Sequence, residues 1–361
     1  MSVNCATTEG TRRYYERFAA RAAIGHFRQQ QDLALSSIGI GTYLGNADEA
    51  TDANYTNAVV RAVQLGANVI DTAANYRFQR SERSIGAALQ TLARDELVIC
   101  TKGGYLPFDG APPRNVREYV EETFVKPGIA SFDDIAGGSH CMTPAYLQNQ
   151  LEQSLRNMEL ECVDVYYIHN PETQLQYVSE DEFYTRILAA FERLEQLRAA
   201  GKLVHYGVAT WNGFRVAPDS GGHHSLLALF GAATKVGGDD HGFRFVQLPF
   251  NLAMPEALTL ANETIHGEQM SLLEAAAGLG VTVMASASML QGRVARGLPD
   301  EVRQPLGSLS TDAQTAIQFV RSAPGITTAL VGMSSVAHVE ENLALTEVEP
   351  AGAESFGRMF R

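Results

Sequence analysis

Four ionisable side chains directly follow short apolar runs in the first half of this chain: Asp71, Tyr76, Lys102 and His169. A free phenol has a pKa of about 10, so an unaided tyrosine is a weak acid at neutral pH. A nearby lysine ammonium lowers that pKa, and a carboxylate paired with the lysine keeps it charged and in place. A histidine beside the phenol can orient a substrate oxygen or share the proton. These residue types predict an acid for carbonyl reduction and equally a base for alcohol oxidation.

The elements that must position these residues follow a repeating pattern. From about residue 35, an apolar run rich in Val and Ile, a loop and an amphipathic stretch follow one another eight times. Continuous apolar runs are typical of parallel strands buried on both faces, joined by crossover helices. Eight units favour an α/β fold closed into a (β/α)8 TIM barrel, in which consecutive strand ends share one rim. The predicted strands are Leu35–Tyr43, Asn68–Ala73, Glu96–Gly103, Val163–His169, Leu203–Thr210, Phe243–Asn251, Val281–Ser288 and Ile326–Gly332.

The domain organisation is predicted to be simple. Residues 1–32 are interpreted as an N-terminal extension, helical around Tyr14–Phe27, and residues 33–361 as one barrel catalytic domain. Neither a linker nor a shift in composition divides the chain after residue 32. We therefore expect one domain to carry the whole site.

Three glycine- and proline-rich insertions interrupt the repeating pattern at Gly103–Met142, Trp211–Gly242 and Gly292–Ser310. Each follows a predicted strand, so each is expected to project from the carboxyl-terminal face, where barrel enzymes keep their active sites. Four aromatic residues of the first insertion predict a shaped cover over a sizeable substrate: Tyr105, Phe108, Phe124 and Phe132.

Composition excludes several classes of partner. The 361 residues carry a formal net charge of −13, and an acidic surface repels nucleic acid and anionic lipid. No apolar run approaches the roughly 18 residues that a membrane span requires. Cys5, Cys100, Cys141 and Cys162 show neither a CxxC pair nor a metal spacing. Cys100 and Cys162 are predicted to be buried free thiols, which favours a cytoplasmic location.

Two local patterns, one of glycines and one of histidines, indicate neither a dinucleotide-binding fingerprint nor a metal site. The glycines of Gly39–Gly45 are spaced GxGxxxG, so the dinucleotide fingerprint of an open doubly wound sheet is not met. His223, His224 and His241 lie in a glycine-rich insertion without partners at metal-ligand spacing, and we predict no metal site.

The chain resembles the aldo-keto reductase family from about Leu35 to about Leu345. By that resemblance Tyr76 is the general acid, Lys102 and Asp71 tune it, and His169 orients a small carbonyl or alcohol substrate. The matching motifs are Gly39-Ile40-Gly41-Thr42, Asp71-Thr72-Ala73 with Tyr76, Thr101-Lys102-Gly103, Tyr166 with His169, Gln247-Leu248-Pro249-Phe250-Asn251 and Glu340-Glu341-Asn342.

The same resemblance implies a nicotinamide cofactor, with NADPH favoured and NADH possible, and therefore an NAD(P)-dependent oxidoreductase. The residues implied to bind it are Gly41, Thr42, Asp71, Thr210, Gln247, Ser286, Gly332, His338, Glu341 and Asn342.

The cofactor region departs from the family pattern in three places. Ala209-Thr210 stands where the family has Ser-Asn, and Ala285–Ser288 lacks the aromatic residue that stacks on the nicotinamide ring. Near the last strand, His338 alone stands where a basic residue usually pairs with the 2′-phosphate. Loss of Arg or Lys there removes a charge-assisted contact of about 1.5–3 kcal/mol.

Two other functions are compatible with this sequence. A nucleotide-binding regulatory subunit, similar to the channel β-subunits that share the fold, would also tolerate the four ionisable residues. A redox-neutral enzyme of the epimerase type would retain its cofactor. The missing ring-stacking residue favours the regulatory alternative, whereas the aromatic insertion favours an enzyme.

Overall fold

The centre of the molecule is a closed barrel of eight parallel strands, seen in a computed structural model that describes residues 5–360. Its strands are β3 (Ile38–Gly41), β4 (Val69–Asp71), β5 (Val98–Gly103), β6 (Val163–His169), β7 (Leu203–Ala209), β8 (Phe243–Pro249), β11 (Thr282–Ser286) and β12 (Ile326–Gly332). Neighbours pair in chain order, and β12 closes the barrel against β3. The predicted (β/α)8 TIM barrel is confirmed.

Alternation along the strands separates two apolar layers. On β5 and β6, Cys100 and Tyr167 belong to the cluster inside the barrel, whereas Ile99 and Ile168 pack with the helices outside. Successive side chains of a strand point to opposite faces, so Lys102, two residues beyond Cys100, faces the barrel axis at its carboxyl end. The local strand pattern thus aims the lysine into the rim.

Helices surround the barrel, and several begin at a polar cap such as Asp48, whose side chain accepts a hydrogen bond from the Thr51 amide. None of the helices in residues 5–360 is long and apolar enough to cross a membrane. The helices are α1 (Thr8–Phe18), α2 (Glu49–Gln64), α3 (Arg80–Leu89), α4 (Val116–Val120), α5 (Pro144–Met158), α6 (Glu180–Ala199), α7 (Leu226–Gly237), α8 (Glu256–Thr259), α9 (Leu272–Leu279), α10 (Asp300–Arg303), α11 (Asp312–Ser322), α12 (Val336–Leu343) and α13 (Ala353–Gly357).

Two antiparallel hairpins lie outside the barrel. The first joins β1 (Phe27–Gln30) to β2 (Leu33–Ser36), and the second joins β9 (Glu263–Ile265) to β10 (Glu268–Met270). The predicted strand Leu35–Tyr43 is therefore wrong as a single element, because it combines the end of β2 with β3. The chain pairs with β1 before it turns into the barrel.

The N-terminal segment packs against the barrel. Its helix α1 lies earlier than the predicted Tyr14–Phe27 and buries Tyr14 and Phe18 in the main apolar core. Strands β1 and β2 pair across residue 32, the predicted end of the N-terminal extension. The segment thus contributes apolar surface to the core that it covers.

Cys162 is not a free thiol, contrary to prediction. It is joined to Cys5 by a disulfide, with 5.9 Å between the two Cα atoms, while Cys100 and Cys141 are free and buried. The Ala6 amide donates to Asp164 Oδ1 at 2.6 Å, so the segment before α1 runs beside the start of β6. A separation of 157 residues gives no sequence signal of this pairing. The prediction of a cytoplasmic location loses the support it drew from Cys162.

Candidate active site

Asp71, Lys102 and His169 lie at the carboxyl ends of three neighbouring strands, β4, β5 and β6. Tyr76 follows in the loop between β4 and α3. The structure therefore brings the four predicted catalytic residues to one rim of the barrel, as their positions after consecutive apolar runs imply.

A buried ion pair forms the base of the site. Lys102 Nζ lies 2.7 Å from Asp71 Oδ2 and donates a second hydrogen bond, also 2.7 Å, to the carbonyl of Thr72. Gln247 Nε2 donates to Asp71 Oδ1 at 2.8 Å, so both carboxylate oxygens have a partner. A buried charge is tolerated only when it is paired in this way. Lys102 is thus held charged, at a fixed position.

Tyr76 lies over this ion pair. The Lys102 ammonium is 5.0 Å from the centroid of the phenol ring, within cation–π range. The ring also meets those of Tyr43 and His169 edge to face, at centroid separations of 5.0 and 5.9 Å. The phenol consequently stands between a permanent cation and an imidazole.

The pKa of Tyr76 differs from the sequence-based expectation of a net lowering. Burial raises the pKa above its usual 10.0, while the Lys102 ammonium opposes this and lowers it. Burial wins because the phenolate loses its hydration, so the expected net lowering is wrong for this structure. Tyr76 is therefore protonated at neutral pH and able to donate its proton.

The pKa values of the two basic side chains of the site are shifted in opposite directions. Burial disfavours the Lys102 ammonium, but Asp71 and Tyr76 together raise its pKa above 10.5. Burial, followed by the Lys102 charge and His140, lowers the pKa of His169 well below 6.5. At neutral pH the site combines a charged lysine with a neutral histidine.

A cavity of about 370 Å³ opens above these residues. Seven of the ten residues predicted to bind the cofactor line it: Gly41, Thr42, Asp71, Thr210, Gln247, Ser286 and Gly332. Of the predicted catalytic residues, Asp71, Tyr76 and His169 line it, and Lys102 is buried behind Tyr76. One cavity thus joins three of the predicted catalytic residues to most of the predicted cofactor residues.

The remaining three predicted cofactor residues lie on α12, outside the lining of this cavity. His338 and Glu341 are exposed, whereas Asn342 is buried. The Ser335 side chain caps the helix by accepting a hydrogen bond from the His338 amide, a contact that does not involve the His338 imidazole. The structure does not bring these three side chains to the catalytic rim.

Two buried oxygen atoms lack partners where the sequence places cofactor contacts. Thr210 Oγ1, in the cavity lining, and Asn342 Oδ1, on α12, are buried without a hydrogen bond. A buried polar atom without a partner is costly unless a ligand satisfies it. Of these two residues, Thr210 lines the cavity and is placed to meet a polar ligand there, whereas Asn342 lies outside the lining. Within residues 5–360, no cluster of His, Cys, Asp and Glu could hold a metal ion.

Several cavity residues escaped the sequence analysis. Asn75 and Asn170 each stand next to a predicted catalytic residue, and that adjacency is a signal that could have found them. Tyr43 and Trp211 lie in loops after β3 and β7 and are 55% and 42% exposed. These aromatic rings make the cavity mouth partly apolar.

Only one of the four predicted cover residues lines the cavity, and it is Tyr105. Phe124 is buried in a small core within the insertion, and Phe108 stacks on Phe78. Phe132 is partly exposed beneath Arg117. The prediction of an aromatic cover is wrong for these three: Phe124 fills the insertion's own apolar core, and the other two have contacts elsewhere.

A family model described as the aldo/keto reductase family matches residues 37–217, the half of the chain that contains all four ionisable residues. The chain belongs to the aldo-keto reductase family. This is the family whose motifs the sequence carries at the ends of β4, β5 and β6.

Comparison with curated proteins gives distant relatives. The chain is 28% identical to a Pseudomonas D-threo-aldose 1-dehydrogenase over 180 residues, 49% of this chain and 51% of that one. It is 26% identical to the NADH-specific methylglyoxal reductase of Escherichia coli over 183 residues, 49% of each chain. These matches span about half the length of either relative. A candidate voltage-gated potassium channel β-subunit of Schizosaccharomyces pombe is 24% identical over 342 residues, 89% of this chain and 87% of that one.

Solved structures show the same fold. An aldo/keto reductase from Klebsiella pneumoniae, in complex with NADP and acetate, superposes with a TM-score of 0.63 at 20% identity, covering 93% of this chain and 94% of that one. An aldo-keto reductase from Bacillus halodurans gives a TM-score of 0.64 at 19% identity, covering 92% and 95%. The likeness extends over nearly the whole barrel and its loops.

Proposed function

We propose that this protein is an NAD(P)-dependent oxidoreductase that interconverts an uncharged carbonyl compound and its alcohol, with Tyr76 as the acid and base. The observation that carries this proposal is the placement of the Lys102–Asp71 pair and His169 around the Tyr76 phenol. Such an arrangement supplies a proton to a substrate oxygen atom that is held beside the phenol.

The chain's own residues account for the proton. In reduction, the Tyr76 hydroxyl donates its proton to the carbonyl oxygen as the alcohol forms, and the Lys102 ammonium stabilises the resulting phenolate. Asp71 keeps Lys102 charged and in place. The neutral His169 holds the carbonyl oxygen toward the phenol. In the reverse direction, the phenolate accepts the proton of the alcohol.

When bound, the nicotinamide cofactor supplies or accepts the hydride. Thr210 and Gln247 would hold its nicotinamide end, and Gly41, Ser286 and Gly332 line the wall along which it would extend. Asn342 would hold the far end, and His338 stands where a partner for the 2′-phosphate is expected. The family resemblance favours NADPH. NADH is the rival, because a histidine is a weaker phosphate partner than an arginine.

The substrate is proposed to be uncharged. On the substrate side, the cavity is lined by aromatic rings and amides such as Tyr43, Asn75, Asn170 and Trp211, without an arginine or lysine in the lining. A carboxylate would lack a cationic partner there, and the net charge of −13 repels it. We therefore propose small neutral aldehydes, ketones or the corresponding alcohols.

One experiment tests the proposal. Purified protein is titrated with NADPH and with NADH while the cofactor fluorescence is followed, and a panel of neutral aldehydes and ketones is then added. We expect saturable binding of at least one cofactor and its oxidation on addition of a carbonyl. Cofactor binding without oxidation of the cofactor by any carbonyl compound, or its reduction by any corresponding alcohol, would contradict the proposed activity.

A regulatory function is the second candidate. The match to the Schizosaccharomyces pombe protein covers most of both chains, and the lining at Ser286–Met289 carries no aromatic ring. A nucleotide-binding regulatory subunit predicts tight cofactor binding without turnover. The same titration therefore separates the two functions.

A further inference from the structure

The insertion between β5 and α5, residues 104–143, is tied to the catalytic rim by a buried histidine. Its two ends pair with each other, because the Cys141 amide donates to the Gly104 carbonyl at 2.8 Å and the Leu106 amide donates to Ser139 at 2.9 Å. His140, between these contacts, is fully buried, and its Nε2 lies 2.7 Å from the backbone carbonyl of His169. A side chain of the insertion thus holds the strand end that carries His169.

The neighbours of His140 determine which of its nitrogens carries the proton. An Arg186 guanidinium NH donates to Gln174 Oε1 at 2.6 Å, and a guanidinium can only donate, so the Gln174 amide is oriented. Gln174 Nε2 then donates to His140 Nδ1 at 2.8 Å. Burial lowers the pKa of His140 to about 4, so the ring is neutral at physiological pH. Its proton is therefore on Nε2 and is donated to His169.

Gly104 leaves space for this hydrogen bond. A Cβ atom at position 104 would lie 2.8 Å from His140 Nε2 and 3.0 Å from the His169 carbonyl oxygen. The φ angle of Gly104 is +144°, in the region that favours glycine. Any other residue at this position would press on the contact between His140 and His169.

The ring of Tyr105 lies between the two histidines. It meets His140 edge to face at a centroid distance of 5.2 Å and His169 at 5.1 Å. Tyr105 and His169 both line the cavity. A shift of His140 would consequently move two side chains that face the substrate.

We propose that His140 is a positioning residue for His169, and that Arg186 and Gln174 maintain the hydrogen bond by selecting the tautomer of His140. The kinetic part of this proposal rests on the proposed oxidoreductase function. Because misplacement of a reacting group by about 1 Å lowers rates by about 10²-fold, a loosened His169 should reduce kcat rather than cofactor binding.

The test compares His140→Leu and His140→Gln with a matched control, His26→Leu. His26 is an equally buried histidine whose Nε2 bonds to the Gly66 carbonyl at 2.9 Å, and burial likewise lowers its pKa to about 4, but it does not line the cavity. The glutamine amide can place an N–H near the position of the imidazole Nε2. Measurements are kcat, KM, the dissociation constant of NADPH and amide hydrogen exchange by peptide.

We expect His140→Leu to lower kcat about tenfold or more while the NADPH dissociation constant changes less than about twofold. Exchange should rise in peptides covering 104–142 and 168–170. His140→Gln should regain kcat to within about threefold of the wild type, because it keeps the donor. His26→Leu should leave kcat within about twofold, whatever it does to the melting temperature.

Two results would overturn the proposal: equal kcat in His140→Leu and His26→Leu, or folded His140→Gln no more active than His140→Leu. If His140→Leu does not fold, Arg186→Met at the partly exposed end of the relay decides instead, with an expected loss of about threefold in kcat. Unchanged kcat in that variant would overturn the relay. If the wild type has no turnover, the proposed oxidoreductase function fails. Amide hydrogen exchange at residues 168–170 then decides the role of His140. Exchange that is the same in His140→Leu and the wild type would overturn that role.

Discussion

The ion pair of Asp71 and Lys102 at the barrel rim and the predicted cofactor residues on α12 differ in how completely their polar groups are paired. At the catalytic end, Asp71 accepts hydrogen bonds at both carboxylate oxygens, and Lys102 has two oxygen partners. Toward α12, Asn342 Oδ1 is buried without a partner, and His338 is exposed. The Asp71–Lys102 pair is therefore fixed by the protein's own contacts, whereas we propose that a bound ligand completes the unpaired oxygen of Asn342.

This difference predicts large effects at the catalytic end. Lys102→Met should lower the rate of reduction about 10²-fold and move the alkaline limb of its pH profile to higher pH. Without the neighbouring ammonium the phenolate is less stable, so the pKa of Tyr76 rises further and the phenol keeps its proton to higher pH. The measurement is kcat against pH for the variant and the wild type.

Asp71→Asn is the control for this prediction, because it keeps the shape of the Lys102 partner and removes its charge. We expect it to change the profile less than Lys102→Met does. A smaller rate with an unmoved alkaline limb in Lys102→Met would give Lys102 a purely structural role.

A smaller effect is predicted at the α12 end. His338→Arg should tighten NADPH about tenfold, which corresponds to about 1.4 kcal/mol, with little change for NADH. An arginine binds a phosphate through two parallel N–H donors and always carries a charge, which an imidazole cannot match. Dissociation constants of both cofactors provide the measurement.

His338→Ala is the matched control at this position. If His338 contacts the 2′-phosphate, the preference of the wild type for NADPH over NADH should be lost in the alanine variant. A ratio of the two dissociation constants that is unchanged in His338→Ala would remove His338 from the phosphate site.

The rim residues could be predicted from the sequence more completely than the residues on α12. Asp71, Lys102 and His169 lie at or next to the ends of apolar strand runs, so strand order alone places them on one rim. By contrast, His338 and Asn342 are four residues apart on α12, yet one is exposed and the other buried. That difference depends on how the helix docks against the barrel, which a local pattern does not specify.

Long-range contacts made by the loops could not be predicted from the sequence either. His140 meets the carbonyl of His169, 29 positions along the chain, and its role depends on Gln174, which is 34 positions from His140. The aromatic composition of the insertion predicted a cover, but the packing of Phe124 into a local core follows only from the folded insertion. Residue types identified the chemistry, whereas loop packing decided which side chains reach the cavity.

The central claim is that Tyr76 supplies the proton while a hydride passes directly between cofactor and substrate carbon. The most direct test incubates the protein with nicotinamide cofactor deuterated at the transferable position and a neutral aldehyde, and then analyses the alcohol by mass spectrometry. We predict one deuterium on the alcohol carbon with the wild type, and a rate about 10²–10⁴-fold lower with Tyr76→Phe, whose NADPH dissociation constant stays within about twofold. An alcohol without deuterium, or a Tyr76→Phe variant with more than about half of the wild-type rate, would contradict the account.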